Sequence, residues 1–168
     1  MELLIPGLIL VALMAWASTK IKKRAAEAFE PELIETENYS LQKPEGFLHV
    51  LNSDDHDFEA YSKEFDQGNF SLRRAMIEID VLRDIDLKEA VDALNANSAD
   101  PTTIKESDNV YRIECEETAN ENPFRVFYKL VSSPRGVYRL RFAVSAENAE
   151  DYLRRIDETL DSFTVKAN

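Results

Sequence analysis

The chain has 168 residues, with 20 Lys+Arg against 32 Asp+Glu and a formal net charge of −12 at pH 7. So acidic a chain is repelled by phosphate backbones, which argues against nucleic acid as a partner. Its single cysteine allows no internal disulfide framework, and its length is sufficient for one domain with a hydrophobic core.

An uncharged, largely apolar run opens the chain, from Leu3 to Thr19. As a helix these residues would rise about 25 Å, close to the roughly 30 Å hydrocarbon core of a bilayer. We therefore predict an uncleaved single-pass signal-anchor that binds the lipid bilayer. Its anchoring residues are Leu3, Leu8, Ile9, Leu10, Val11, Leu13 and Trp16. The alternatives are a buried soluble helix and a cleaved signal peptide, although no basic residue precedes the run.

A basic cluster follows the apolar run, and it predicts the orientation of the chain. Basic flanks are retained in the cytoplasm, so we expect a cell-membrane protein whose soluble domain is cytoplasmic. The flanking residues are Lys20, Lys22, Lys23 and Arg24. The predicted organisation is an anchor helix with its flank over residues 1–29, an acidic linker over 30–38 and a soluble domain over 39–168.

The first half of the soluble domain contains one clear strand and one clear helix. A strand at Tyr39–Gln42 is followed by a turn with proline and glycine, whereas residues 51–69 are ambiguous. Apolar and acidic residues alternate over Ala75–Val81, which predicts a half-buried strand. Asp86 and Glu89 form a capping box that begins a helix over Leu87–Asn95. Residues 97–108 are expected to form a loop.

The second half predicts three antiparallel strands and a covering helix. The strands are Val110–Glu116, Phe124–Val131 and Val137–Val144, the last two joined by a tight turn. Their inner faces are read as Tyr111, Ile113, Cys115, Phe124, Val126, Tyr128, Leu130, Tyr138, Leu140, Phe142 and Val144. Their outer faces are read as Arg112, Glu114, Glu116, Lys129, Arg139 and Arg141. A helix with the apolar face Ala149, Tyr152, Leu153, Ile156, Leu160 and Phe163 should cover the sheet. The fold class is therefore α+β: an N-terminal transmembrane helix, then an antiparallel sheet with packed helices.

Four short segments resemble the Mog1/PsbP/DcrB-like superfamily over about residues 38–166. They are YSLQ at residue 39, KPEGF at 43, VYRLRFAV at 137 and the pair Ser162–Phe163. The resemblance implies a sandwich of sheet and helices and a binding or accessory role, since members include extrinsic photosystem subunits, a small-GTPase-binding factor and envelope lipoproteins. The chain departs from the lipoprotein pattern, because no cysteine follows the apolar run.

Few residues offer catalytic or metal-binding chemistry. Asp54, Asp55, His56 and Asp57 are weak metal candidates, because neighbouring residues of one loop seldom converge on a single ion. His49 is interpreted as a strand-end residue and Cys115 as a buried small apolar residue. No phosphate loop, nucleophile elbow or zinc spacing occurs, so we expect neither an enzyme nor a cofactor.

The sequence thus favours a non-catalytic accessory subunit or assembly module of a larger integral membrane complex, such as a bioenergetic or photosynthetic one. The alternative is a membrane-tethered small-molecule or metal-binding carrier. Three acidic stretches, at residues 30–37, 54–59 and 114–121, are the candidate contact regions for a partner with a basic face. The alternatives are that each stretch is only a solvated surface, and that docking occurs through the membrane helix.

Overall fold

A computed structural model describes residues 26–65, 72–119 and 121–166, together with residues 14, 16, 18, 20 and 23. The strands of this part are β1 (Glu32–Glu35), β2 (Tyr39–Lys43), β3 (Phe47–His49), β4 (Phe58–Ser62), β5 (Ala75–Leu82), β6 (Ala99–Ser107), β7 (Val110–Ala119), β8 (Asn122–Ser133), β9 (Gly136–Ser145) and β10 (Thr164–Val165). The helices are α1 (Leu87–Asn97) and α2 (Ala149–Ser162), and a 3₁₀ turn over Ala146–Asn148 precedes α2.

Two antiparallel sheets organise these elements. The larger has the strand order β3-β4-β5-β9-β8-β7-β6, and the smaller has the order β1-β2-β10. Helix α2, β1 and β2 share one hydrophobic cluster with the large sheet, and we call this side of the large sheet the α2 face. Helix α1 packs in a second cluster on the opposite side, the α1 face. The α+β prediction of an antiparallel sheet with packed helices is confirmed for the described residues.

The large sheet is apolar on both faces, which corrects the predicted inner and outer faces. The predicted inner residues of β7 and β8 lie on the α1 face, whereas Tyr138, Leu140, Phe142 and Val144 of β9 lie on the α2 face. The two-residue turn of the β8–β9 hairpin sets this register by pairing Ser133 with Gly136. Tyr138 is therefore opposite Val131, and directly opposed residues of an antiparallel pair point to the same face.

Two segments predicted to lack secondary structure are strands. Residues 97–108, the predicted loop, contain β6, which pairs with β7. Residues 30–38, the predicted acidic linker, contain β1, which pairs with β2. Both strands expose most of their side chains. Because neither shows alternating hydrophobicity, backbone pairing rather than side-chain pattern determines their structure.

The segments that carried the family resemblance meet in space. The rings of Tyr39 and Phe163 lie with their centroids 6.0 Å apart. The backbone amide of Gln42 donates to the hydroxyl oxygen of Ser162 at 3.0 Å. Lys43 is fully buried, and its ammonium donates to the carbonyl oxygens of Glu30 at 2.6 Å and Phe47 at 2.7 Å. These motifs therefore join the end of α2 to β2 and the turn that follows it.

Candidate interaction site

A groove lies between α2 and the outer strands β6 and β7 on the α2 face, and we call it the outer groove. It has a volume of about 220 Å³, and its lining includes Ile104, Phe127, Leu153 and Leu160. Phe127 and Leu160 are buried, whereas Ile104 is 58% exposed. The groove thus joins the hydrophobic core to an apolar side chain at the edge of the sheet.

Acidic side chains dominate the charge of the outer groove. Arg112, Glu114 and Asp157 all line it. The guanidinium of Arg112 contacts Glu106 at 2.5 Å and Asp161 at 2.6 Å, so its charge is already balanced within the chain. Glu114 accepts from the Arg125 guanidinium at 2.9 Å. Among the described residues, no ion pair is formed by Asp157, which leaves its carboxylate available to a cation.

Within the ranges that the structure describes, strand β6 forms one edge of the large sheet, because it pairs there with β7 alone. All nine of its residues are exposed. Its pairing with β7 shifts register between Ala99 and Thr102 and again between Lys105 and Ser107. Irregular pairing, proline and lysine commonly protect a sheet edge against pairing with another chain. In β6 these features lie towards the two ends of the strand. The regular segment between the shifts, residues 102–105, is an open pairing edge beside the outer groove.

The weak metal candidates do not converge. Asp57 accepts from the backbone amide of Val81 at 3.2 Å, and His56 Nδ1 lies 2.7 Å from Asp80 Oδ1. Asp54 and Asp55 are exposed. In the ranges that the structure describes, no group of three or more His, Cys, Asp or Glu is arranged to hold a metal ion.

His56 belongs instead to an ion-pair network on the α1 face, and this network was not predicted. Arg139 contacts Asp80 at 2.7 Å, and Arg141 contacts Glu78 at 2.8 Å and Glu117 at 2.7 Å. Tyr128 donates to Glu117. The network consists of His56, Glu78, Asp80, Glu117, Tyr128, Arg139 and Arg141. When His56 is protonated, its three cations balance its three carboxylates.

The surroundings of these groups explain the direction of their pKa shifts. Burial would lower the pKa of His56, but its hydrogen bond to Asp80 and the nearby carboxylates outweigh that effect and raise it. Burial would raise the pKa of Asp80, and hydrogen bonds from Arg139 and His56 instead lower it. Burial and the bond to Glu117 raise the pKa of the Tyr128 phenol. Attraction between opposite charges within the network therefore explains the pKa shifts of His56 and Asp80.

Cys115, His49 and Lys129 each lie in surroundings typical of a structural residue. Cys115 is buried as predicted, and burial raises the pKa of its thiol. His49 ends β3, as expected of a strand-end residue. Lys129 was predicted to lie on an outer face, but it is buried. Sequence periodicity did not indicate this, because it cannot reveal the backbone carbonyls that accept from the Lys129 ammonium.

Most residues of the predicted anchor and its flank lie outside the described residues. These are Leu3, Leu8, Ile9, Leu10, Val11, Leu13, Lys22 and Arg24. Trp16 is helical and 62% exposed, and the Lys20 ammonium lies 4.8 Å from the centre of its ring. Lys23 lies 3.9 Å from Glu27. Where the structure describes the chain, it contains no helix both long and apolar enough to span a membrane.

Comparison with solved structures identifies the fold. The chain is similar to LpqN of Mycobacterium tuberculosis, which is involved in cell envelope biogenesis, with 12% identity, a TM-score of 0.57 and coverage of 82% of this chain and 91% of LpqN. It is also similar to cyanobacterial PsbP from Synechocystis, with 11% identity, a TM-score of 0.53 and coverage of 82% and 94%. The chain has the PsbP-like fold. The predicted resemblance is thereby confirmed at the level of the fold. No family model matches this sequence, and no curated protein matches it either.

Proposed function

We propose that this PsbP-like chain is a non-catalytic interaction module, an accessory or assembly subunit of a larger integral membrane complex. The observation that carries the proposal is the open edge of β6 beside the outer groove. An exposed strand edge with an apolar groove next to it has the features of a surface that pairs with another chain. The acidic and basic groups of the ion-pair network, by contrast, pair with one another.

The N-terminal sequence supports a membrane partner. Its apolar run and the basic residues that follow predict a single-pass anchor with the domain on the cytoplasmic side. An acidic body is repelled by an anionic lipid surface, which favours docking on a protein that presents basic residues. Envelope association also agrees with the role of LpqN in cell envelope biogenesis. A bioenergetic or photosynthetic complex remains one form that such a partner could take.

A carrier of a small molecule or metal is supported less well by the same geometry. Ligand pockets usually hold about 300–1,000 Å³ and converge polar groups on the ligand. The outer groove holds about 220 Å³, and its one arginine is already paired with two carboxylates. Two larger depressions, of about 380 Å³ beside β10 and about 500 Å³ beside the β8–β9 turn, are wide open to solvent and do not enclose a ligand. An interaction module is therefore the better-supported function.

Copurification tests the proposal. The tagged full chain would be extracted from its host membrane in mild detergent, and the retained proteins would be quantified by mass spectrometry at low and high salt. We expect one set of membrane proteins that is enriched at low salt and released as salt rises, because screening weakens charge pairing. Recovery of the chain alone at every salt concentration would contradict the proposal.

Three charge variants identify which acidic stretch contributes. Each would convert the Asp and Glu residues of one stretch, at 30–37, 54–59 or 114–121, to Asn and Gln. Many carboxylates of the second and third stretches already bind partners within the chain, such as Glu59 to Ser53 and Glu117 to Arg141. We therefore require each variant to melt as the wild type does before its loss of partners is interpreted.

A further inference from the structure

We infer that the partner adds a strand to the edge of β6. The added strand is an extended segment whose apolar and basic side chains face the outer groove. This inference rests on the proposed function and specifies how the partner binds. The edge of β6 requires an extended partner segment. Half of the backbone amides and carbonyls of an edge strand point away from the neighbouring strand and can pair with such a segment. An added strand pairs with those groups, whereas a helix cannot.

The pairing segment is short, and its ends are determined by irregularities. Register shifts flank Thr102–Lys105, and Pro101 lies at its start. The opposite edge strand, β3, has only three residues, so it offers much less backbone to a partner. Strand addition at β6 therefore involves about four residues, whose main-chain hydrogen bonds contribute to the affinity.

The two faces of β6 specify different side chains in the added strand. Ile104 lies on the α2 face, opposite Arg112 and beside the groove residues Leu153 and Asp157. An apolar side chain on this face covers Ile104, and a lysine or arginine reaches the carboxylate of Asp157. Lys105 lies on the other face, where it would repel a cation. The occupant therefore carries its basic residues on one face only.

A second copy of the chain is a poorer occupant. Two copies would each bring a net charge of −12 to the contact. Bodies of the same net charge repel each other, so the charge of the chain favours a basic partner over a second copy.

Synthetic nine-residue peptides provide a direct probe of strand addition. The test peptide has threonine at every second position and valine and lysine at the others, which places all its basic groups on one face. One control replaces lysine with glutamate, and another is N-methylated at alternate residues so that it cannot pair. Binding to the full chain in detergent would be measured by fluorescence anisotropy, and backbone protection by hydrogen–deuterium exchange.

We expect the test peptide to bind, to slow exchange at Thr102–Lys105, and to dissociate as salt rises. Ile104→Lys should weaken its binding by about tenfold or more, because the apolar contact is lost and a like charge is introduced. Leu51→Lys is the matched control, since Leu51 is also exposed but lies outside β6, and it should bind as the wild type does.

Strand addition is wrong if the glutamate or N-methylated peptide binds equally well, if protection appears elsewhere, or if the peptides do not bind. It is also wrong if the chain alone forms dimers that Ile104→Lys dissociates. These failures are distinct from failure of the proposed function. If the wild type copurifies with membrane proteins and Ile104→Lys retains all of them, only strand addition is overturned, whereas a wild type with no retained partner overturns the proposed function.

Discussion

The ammonium of Lys129 on β8 donates to the carbonyl oxygen of Leu160 at 2.6 Å, so a buried cation caps the C-terminal end of α2. It also donates to the carbonyl of Phe163 at 3.0 Å. The last carbonyls of a helix have no partner within the helix, and a cation there interacts favourably with the helix dipole. Burial lowers the pKa of Lys129, with Glu106 partly opposing the shift. This contact positions the end of α2 beside the outer groove.

Replacing Lys129 with methionine should destabilise the domain by roughly 1–3 kcal/mol, because two carbonyls at the helix end lose their donor. Urea unfolding of the purified chain measures the change. Lys105→Met is the control, since Lys105 is exposed and its ion pair with exposed Asp108 is open to solvent, so this variant should unfold as the wild type does. Equal stability of the two variants would show that Lys129 does not hold the helix.

Ile156→Ala should lower the free energy of unfolding by about 2–5 kcal/mol. Ile156 lies on the side of α2 that is buried against the large sheet, and its truncation leaves a cavity there. Leu160→Ala should behave similarly. Arg154 lies on the exposed side of the same helix, and Arg154→Ala tests helix propensity without burial. Thermal melting at matched concentration compares the three. Unchanged melting of both core variants would mean that α2 does not cover the sheet.

The stability contributed by His56 should depend on pH. The folded pKa of His56 is raised from its ordinary 6.5, so its contribution is complete below about 6.5 and is lost as pH rises through the folded value. The folded pKa of Asp80 is lowered from 3.8, so its contribution is present above about 3.8 and is lost as pH falls through the folded value. The pair should therefore stabilise the fold most between about pH 4 and 6.5.

His56→Gln isolates this dependence, since glutamine keeps a polar group but cannot be protonated. Unfolding free energies of wild type and variant would be measured at pH 5 and pH 8. The difference should be larger at pH 5, where the wild-type imidazole is charged and balances the network. A difference that is the same at both values would argue against a charged His56 in the folded protein.

The orientation predicted from the basic flank is tested in intact cells. Protease added to right-side-out spheroplasts should leave the domain uncut, because the flank retains it in the cytoplasm. Changing Lys20, Lys22, Lys23 and Arg24 to glutamate should weaken or invert insertion. Digestion of the wild-type domain before lysis would contradict this orientation, and a mature N-terminus near Ser18 would show that the segment is cleaved.

Elements with one dominant pattern were predictable from the sequence. Strand β5 alternates clearly, and α1 begins where predicted, with Asp86 accepting from the Glu89 amide at 2.8 Å. The β8–β9 hairpin was also located correctly. Its faces were not, because β8 is apolar on both sides and periodicity cannot then show which residues share a face with Tyr138. That assignment needed the register set by the turn.

The candidate site was harder to predict, for a physical reason. Strand β6 is exposed on both faces, so selection for burial leaves no alternation in its residues, and proline at 101 favours a loop. Ile104 was the available signal: a single large apolar side chain in a polar segment. The ion-pair network was hidden as well, since Glu78 and Arg141 alternate with apolar residues as ordinary outward charges do, yet Glu78 is only 9% exposed.

We propose that this chain works by binding a partner through the edge of β6. Quantitative copurification of the full chain from host cells extracted in mild detergent tests this directly, comparing wild type, Ile104→Lys and the matched surface variant Leu51→Lys. We expect one set of membrane proteins that is retained by wild type and Leu51→Lys and strongly depleted with Ile104→Lys, while all three proteins melt alike. Equal retention by all three, or no retained protein with the wild type, would contradict it.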